Sequence, residues 1–189
     1  MKIAILGGSF NPVHLGHVAL AQSVVDQLSY DKILLIPALM SPLKQGHNYV
    51  SAEHRVRMLE LAFREKSWAE VSSCEVNRKG PSYTYKTIEY LYDQYDFQGK
   101  PGLIVGDDWV EGFSRWKNVE DIVARTDLIV ARREGGQERF PYPCSFLKNP
   151  VVTVSSTEIR EEVQSGKRVD HLVPGPVAEY IGRHGLYQS

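Results

Sequence analysis

The sequence is poor in cysteine, in net charge and in long apolar runs, and each shortage excludes a class of protein. Its two cysteines, Cys74 and Cys144, are too few for a disulfide framework or a zinc–cysteine cluster. The 22 basic and 23 acidic residues give a formal net charge of −1, so the bulk positive charge of many nucleic-acid binders is missing. No apolar stretch approaches the roughly 18 residues of a membrane span, and the apolar start at residues 3–6 is too short for a secretory signal. We therefore expect a cytoplasmic protein that binds neither nucleic acid nor membrane.

The composition is that of an ordinary globular protein. The chain has 189 residues, of which 42% are hydrophobic and 24% are charged. A chain of this length buries roughly 70% of the surface that its unfolded form exposes, so it needs no covalent staple. We find no internal repeat and no low-complexity tract. We expect one domain over residues 1–189, in which residues from about 155 to 189 form a small helical C-terminal subdomain.

Short apolar runs alternate along the chain with segments whose apolar residues recur at helical spacing. Four of these runs are rich in β-branched residues and apolar on both faces, which is typical of parallel strands covered by helices. They are residues 2–6, 32–37, 102–105 and 127–131, and residues 69–76 and 151–154 are weaker strand candidates. The alternation predicts an α/β fold, a doubly wound parallel sheet with helices on both faces and right-handed crossovers.

Helical spacing is found at residues 18–28, 56–63 and 88–95, and a last helix is predicted over about 177–183. Ser51 precedes a helix predicted over 52–65, and Asn118 precedes one predicted over 119–125, so both are candidate N-caps. Residues 133–149 contain two glycines and two prolines, which predicts an irregular loop.

A glycine pair follows the first strand and precedes a helix. Strand, glycine loop and helix in this order favour phosphate binding, because backbone N–H groups and the helix dipole attract anions. Two histidines three residues apart share a helix face and can donate to phosphate oxygens, and a glycine between them leaves room for a ligand. Neither G-x-x-x-x-G-K-[ST] nor G-x-G-x-x-G is present. The segment reads Gly7-Gly8-Ser9-Phe10-Asn11-Pro12-Val13-His14-Leu15-Gly16-His17.

Other interpretations of this segment stay open from the residues alone. A histidine at a helix start is commonly a cap or a core residue. A metal site is a further alternative, although no third ligand lies nearby in the sequence.

A second candidate anion site precedes the predicted C-terminal helix. Ser155 and Ser156 are followed by Arg160, whose guanidinium can bind phosphate through two parallel hydrogen bonds. Hydroxyls in this position more commonly cap the helix, and Glu158 in the first turn fits that role. At the end of the third strong strand, Gly106 and Asp108 suit a ribose hydroxyl, and a helix N-cap is the alternative role for the aspartate.

These segments together resemble the nucleotidylyltransferase superfamily, and within it the bacterial nicotinate mononucleotide adenylyltransferases. The first loop resembles the T/H-x-G-H element, and residues 155–160 match S-S-T-x-I-R. Residues 81–84 match P-S-Y-T, residues 106–108 match G-x-D, and the likeness extends from Lys2 to Gly185-Leu186-Tyr187. The resemblance implies a Rossmann-like fold and adenylyl transfer from ATP to nicotinate mononucleotide. The products are nicotinate adenine dinucleotide and pyrophosphate, a step of NAD biosynthesis, with Mg²⁺ as cofactor.

The resemblance also implies a role for individual residues. It makes His14, His17 and Arg160 catalytic, and it assigns no protein ligand to the metal. The implied ATP site comprises Gly7, Gly8, Ser9, Phe10, His14, His17, Gly106, Asp108, Arg133, Ser155, Ser156 and Arg160. The implied nicotinate mononucleotide site comprises Ser9, Lys44, Ser82, Tyr83, Thr84, Asp108 and Trp116, whose indole would stack on the pyridine ring. A loop lysine is more commonly solvated, and a tryptophan is more commonly a core residue.

Four positions depart from the residues usual in the family, and two alternative functions follow. Asn11 stands where the family usually has aspartate, Leu43 where it has histidine, and Glu134 where it has proline. A tyrosine is common in the family near the position of Gly112. Asn11 and Leu43 motivate a non-catalytic nucleotide-sensing module as one alternative, and the intact phosphate-site residues His14, His17, Ser156 and Arg160 argue against it. Phosphopantetheine adenylyltransferases share the first loop and the S-S-T element, but are usually shorter and lack P-S-Y-T with a matching Trp116. The sequence leaves open a homo-oligomer and the strength of preference for nicotinate over nicotinamide mononucleotide.

Overall fold

A computed structural model describes residues 1–40, 50–106, 111–131, 140–148 and 154–188. Within these ranges six strands alternate with seven α-helices and one short 3₁₀ helix, Phe113–Arg115. The strands are β1 (Ile3–Gly8), β2 (Lys32–Pro37), β3 (Ala69–Val71), β4 (Gly102–Gly106), β5 (Asp127–Ala131) and β6 (Cys144–Leu147). The helices are α1 (Leu15–Leu28), α2 (Ala52–Phe63), α3 (Cys74–Arg78), α4 (Thr84–Gln94), α5 (Val119–Arg125), α6 (Ser156–Gln164) and α7 (Gly175–His184).

All six strands are parallel and form one sheet in the order β3-β2-β1-β4-β5-β6. The strand order reverses between β1 and β4, and the carboxyl ends of the strands border a crevice at that point. Ligands of open α/β sheets bind in this crevice. The prediction of a doubly wound parallel sheet is confirmed.

The sheet separates two apolar clusters because successive side chains of a strand point to opposite faces. Ala4 and Leu6 of β1 belong to the cluster that contains residues of α1, α2, α6 and α7. Ile3 and Ile5 belong to the other cluster, with residues of α3, α4 and α5. Leu186, which follows α7, is buried in the same cluster as Leu6. The C-terminal helices therefore share the core of the sheet.

The strand predicted over residues 69–76 is wrong in its second half. β3 ends at Val71, and the Ser72 N–H still donates to the Leu35 carbonyl of β2. The chain then forms the short helix α3, in which the buried Glu75 carboxylate accepts a hydrogen bond from the Thr87 hydroxyl of α4. This contact joins α3 to α4.

The irregular loop predicted over residues 133–149 is also wrong in part. Residues 144–147 form β6, which pairs with β5 as the edge strand of the sheet. Four residues that directly follow Pro143 are too short a run to show strand alternation in the sequence. Val154, predicted as the end of a strand, is buried but lies in no described strand, and residues 132–139 and 149–153 lie outside the described ranges.

The predicted helix starts are largely correct. The Ser51 hydroxyl accepts a hydrogen bond from the His54 N–H, which confirms it as the N-cap of α2, although that helix ends at Phe63. Asn118 occupies the N-cap position of α5, whose bounds match the prediction, but it has a left-handed conformation (φ 57°) and makes no side-chain capping bond. The last helix begins at Gly175, two residues before its predicted start. None of the described helices meets the length and hydropathy requirements of a bilayer span.

Gly102 at the start of β4 provides a test of the packing between neighbouring strands. A Cβ at this position would lie 2.7 Å from the Tyr30 hydroxyl oxygen and 2.9 Å from the Ala4 Cβ, and both neighbours are buried. Gly102→Ala should lower the free energy of unfolding by about 1–3 kcal/mol, as overpacking does. The measurement is urea denaturation followed by circular dichroism.

Gly182→Ala is the matched control. Nothing lies within 4 Å of a Cβ built at Gly182 in α7, so the same substitution there should raise stability by up to about 1 kcal/mol. Equal unfolding free energies for the two variants would contradict the packing at Gly102.

Candidate active site

The β1–α1 loop (residues 9–14) leaves the carboxyl end of β1 beside the strand-order reversal. Phe10 has a positive φ of 45° and a buried side chain. A Cβ at Gly8 would approach the Phe10 ring to 3.2 Å, so this loop conformation requires a small residue there. The loop ends at His14, the N-cap of α1.

The two histidines of the loop and helix lie face to face at the start of α1. Their ring centroids are 3.7 Å apart with an interplanar angle of 31°, and the His17 ring also meets the Phe10 ring edge-on at 4.9 Å. The His14 N–H donates to Nδ1 of His17 over 3.2 Å. Because Nδ1 accepts, the neutral imidazole of His17 carries its proton on Nε2, which is then a hydrogen-bond donor.

Gly16 lies against the His14 ring at the start of α1. A Cβ there would lie 3.0 Å from Nδ1 of His14 and 3.3 Å from the Val154 side chain. The missing side chain therefore leaves room for the His14 imidazole and for the core, and the approach of a ligand to Gly16 stays a prediction.

The start of α6 lies directly beside the β1–α1 loop. The Ser155 hydroxyl caps α6 by accepting from the Glu158 N–H over 3.1 Å, which confirms the capping interpretation for that serine. The Ser156 hydroxyl donates to the Pro12 carbonyl over 2.8 Å. A hydroxyl has only one O–H, so in this arrangement the Ser156 side chain offers a ligand no donor.

Arg160 of α6 reaches the same loop. Its Nη1 donates to the Asn11 carbonyl over 2.8 Å and its Nη2 to the Thr157 hydroxyl over 3.1 Å. The structure thus brings Arg160 and the two histidines to the same end of the sheet. Their contacts with ATP remain a prediction.

Arg55 is a residue of the site that the sequence analysis missed. It lies on α2, is 2% exposed, and its Nη1 donates to the carbonyls of Ser9 (2.8 Å) and Ala38 (2.6 Å). Its Nε donates to the Val50 carbonyl over 3.3 Å. The available signal was an arginine three and four residues before Met58 and Leu59, on the apolar face of the helix. Arg55 joins the β1–α1 loop to the segment that follows β2.

A cavity of about 220 Å³ opens at the other end of the β1–α1 loop. Of the residues predicted for nucleotide and mononucleotide binding, it is lined by Gly7, Gly8, Ser9, Ser82, Tyr83, Thr84 and Trp116. The Ser82 hydroxyl also accepts a hydrogen bond from the Leu39 N–H over 3.0 Å, which ties the start of α4 to the chain after β2. The half-buried Trp116 packs against Phe113, with ring centroids 4.9 Å apart.

Further residues of the cavity wall were not predicted. Glu75 and Thr87, hydrogen-bonded to each other, lie on the wall between α3 and α4. Lys117 also lines the cavity, and its ammonium lies 4.9 Å from the centroid of the Tyr83 ring. A short helix that the sequence did not reveal carries Glu75, and this explains why that residue was missed.

The remaining predicted residues are partly outside the described ranges. Gly106 is the last residue of β4, at the carboxyl edge of the sheet. Asp108, Lys44 and Arg133 lie outside the described residues, as do the departures Leu43 and Glu134. Gly112 is described and buried, directly before the 3₁₀ helix.

The contacts of Arg55 predict a large effect on stability. Arg55→Ala would remove a buried guanidinium that donates to the carbonyls of Ser9, Ala38 and Val50, so we expect the free energy of unfolding to fall by at least about 2 kcal/mol. Arg57→Ala is the matched control on the same helix, since Arg57 is exposed and pairs only with Glu60 among the described contacts, a surface pair worth at most about 1 kcal/mol. Urea denaturation of both variants gives the comparison. If Arg55→Ala lowers the free energy of unfolding no more than Arg57→Ala does, Arg55 does not hold the β1–α1 loop to the segment after β2.

The sequence is similar to those of known proteins over its whole length. Residues 5–162 match the model of the cytidylyltransferase-like family. The chain is 36% identical over 188 residues to the nicotinate-nucleotide adenylyltransferase of Bacillus subtilis, with 100% of this chain and 99% of the relative covered. It is 37% identical over 204 residues to a protein of Treponema pallidum named probable nicotinate-nucleotide adenylyltransferase, with 100% of both chains covered.

A solved structure shows the same fold. It is the Plasmodium falciparum nicotinic acid mononucleotide adenylyltransferase complexed with NaAD, which superposes with a TM-score of 0.77 at 19% identity and covers 98% of this chain and 97% of that chain. The match at the level of the fold agrees with the family match and with the full-length relatives. This chain belongs to the cytidylyltransferase-like family of nucleotidyltransferases and, within it, to the nicotinate-nucleotide adenylyltransferases.

Proposed function

We propose that this chain transfers the adenylyl group of ATP to nicotinate mononucleotide, forming nicotinate adenine dinucleotide and releasing pyrophosphate. Besides the family, one observation carries the proposal. The β1–α1 loop runs without interruption from the cavity beside Trp116 to the adjoining starts of α1 and α6. One loop therefore borders both a pocket that suits a flat heterocycle and a region that suits phosphates.

The starts of α1 and α6 supply the proposed triphosphate site. The first N–H groups of a helix have no partner within the helix, and the helix dipole adds partial positive charge at that end. Nε2–H of His17 would donate to a phosphate oxygen, and the remaining N–H groups of the Arg160 guanidinium would neutralise charge. These contacts account for anion binding by a chain whose net charge is −1.

The cavity supplies the proposed site for nicotinate mononucleotide. Trp116 offers a flat aromatic face for the pyridine ring. Tyr83 and Thr84 place the first turn of α4 in the cavity wall, where helix N–H groups would donate hydrogen bonds to a carboxylate. Predicted contacts of Lys44 and Asp108 complete this site and remain proposals.

The proposed reaction is a direct displacement. A phosphate oxygen of the mononucleotide attacks the α-phosphorus of ATP, a new P–O bond forms, and the bond to the pyrophosphate oxygen breaks. Such chemistry needs positioning and charge neutralisation rather than a covalent intermediate. Burial raises the pKa of the Cys74 thiol, which disfavours a thiolate at that residue.

Mg²⁺ is the proposed cofactor, arriving with ATP. No three His, Cys, Asp or Glu side chains among the described residues are grouped as a metal site. Mg²⁺ prefers oxygen ligands, keeps several waters and commonly binds substrate phosphates. We therefore propose that the triphosphate supplies most of its ligands. When bound, the ion neutralises negative charge on the leaving pyrophosphate.

The proposal extends to the organisation of the enzyme. We infer one nucleotidylyltransferase domain over residues 1–189, because the described C-terminal helices pack in the same core as β1 and α1. The proposed location is the cytoplasm, where ATP is available. The number of subunits remains to be measured, with a homo-oligomer as one outcome.

A panel of acceptors tests the function. Pyrophosphate release is measured with ATP, Mg²⁺ and, in turn, nicotinate mononucleotide, nicotinamide mononucleotide and phosphopantetheine. We expect the highest kcat/KM with nicotinate mononucleotide and no release with phosphopantetheine. Turnover of phosphopantetheine alone would assign the chain to the rival enzyme activity. ATP binding without pyrophosphate release with any of the three acceptors would indicate a nucleotide-sensing role.

His17 provides a sharper test of the phosphate site. His17→Asn keeps an acceptor near the position of Nδ1 for the His14 N–H, but it removes Nε2. We expect turnover to fall on the order of 10²-fold with little change in melting temperature, because one preorganised transition-state donor is lost. His17→Gln, which can place an N–H near the position of Nε2, should retain more activity. A His17→Asn variant with near wild-type turnover would contradict the donor role.

A further inference from the structure

Tyr187 lies close to the proposed active site although no function has been given to it. It follows α7 and the buried Leu186, whose N–H donates to the Ile181 carbonyl of that helix over 3.1 Å. Tyr187 has a φ of 65°, in the left-handed region that residues with a Cβ rarely adopt. Such a conformation persists where surrounding contacts hold it.

The Tyr187 hydroxyl contacts the β1–α1 loop directly. It donates to Oδ1 of Asn11 over 2.9 Å, and the same oxygen accepts from the Val50 N–H over 3.4 Å. Asn11 is 1% exposed, and its backbone carbonyl accepts from Arg160. Asn11 is therefore held by three separate parts of the chain, three residues before His14.

The surroundings of the phenol keep it in its donor form. Burial raises the pKa of the Tyr187 hydroxyl, while the positive charges of Arg160 and Arg55 act in the opposite direction. The net direction is upward, so the hydroxyl is protonated at neutral pH. An amide oxygen such as Oδ1 of Asn11 can only accept, and this matches a protonated phenol.

We propose that Tyr187 is a positioning residue for ATP binding, which holds Asn11 and thereby fixes the β1–α1 loop between Ser9 and His14. The loop contributes backbone N–H groups and the N-cap of α1. These groups bind a phosphate well only when their positions are fixed. Loss of one side-chain tether allows Asn11 to move, and a displacement of about 1 Å at a binding loop is costly for catalysis. Tyr187 acts through Asn11 and touches no substrate.

Tyr187→Phe removes this one hydroxyl and tests the proposal. We expect kcat/KM for ATP to fall about five- to tenfold, as for one lost neutral hydrogen bond, while KM for nicotinate mononucleotide stays within about twofold. The affinity for the unreactive analogue α,β-methylene ATP, measured by calorimetry, should fall by a similar factor. Circular dichroism and the melting temperature establish that the variant is folded at the assay temperature.

Tyr180→Phe is the matched control from the same C-terminal segment. The Tyr180 hydroxyl lies 2.9 Å from Nδ1 of His54, at the packing of α7 against α2, and makes no described contact with the β1–α1 loop. The Tyr180→Phe variant should have the same kcat/KM for ATP and the same affinity for α,β-methylene ATP as the wild type. If Tyr187→Phe also matches the wild type in both, even with a lower melting temperature, Tyr187 only anchors the C-terminal segment and the proposal is wrong.

The kinetic readout rests on the proposed adenylyl transfer, whereas the calorimetric one does not. A wild-type enzyme inactive with nicotinate mononucleotide would overturn the proposed function and still leave the analogue affinities of the two variants to be compared. Equal analogue affinities would overturn the role of Tyr187 whichever acceptor the enzyme uses.

Discussion

The position of the β1–α1 loop depends on donors that reach its carbonyl oxygens from distant parts of the chain. Arg55 on α2, and Ser156 and Arg160 on α6, donate to backbone carbonyls within residues 9–12. A carbonyl oxygen held by a protein donor is not directed at a phosphate, which it would repel. The His14 and Leu15 N–H groups are also bonded within the protein, to Nδ1 of His17 and to the Leu172 carbonyl, so we expect Nε2 of His17, rather than these two N–H groups, to meet an anion. The loop is preorganised by the fold rather than by the two glycines at the end of β1 alone.

This arrangement explains how a chain with almost no net charge can handle a triphosphate. The fields of helix ends act over the first turn, so two adjoining helix starts concentrate positive potential in one place without a basic surface. The neutral tautomer of His17 adds a donor at that place without adding a formal charge. In the proposed site, charge would be supplied by Arg160, whose guanidinium donates to the Asn11 carbonyl.

The sequence was sufficient for the features that local patterns determine. Apolar runs predicted β1, β2, β4 and β5, and helix-capping chemistry predicted the roles of Ser51 and Ser155. It was not sufficient for β6 and α3, which have four and five residues and take their form from tertiary contacts. The same holds for the site. The hydrogen bond from Ser156 to the Pro12 carbonyl joins residues 144 positions apart, and the one from Arg55 to the Ser9 carbonyl joins residues 46 positions apart. A local sequence pattern contains no information about such distant pairs.

The central claim is that the β1–α1 loop joins a phosphate site at the starts of α1 and α6 to a mononucleotide site at the cavity. A crystal structure with α,β-methylene ATP and nicotinate mononucleotide tests it most directly. We expect phosphate oxygens within hydrogen-bond distance of His17 and of the first turns of both helices, with the pyridine ring beside Trp116. A triphosphate bound away from the start of α1, with the β1–α1 loop unchanged, would contradict the account.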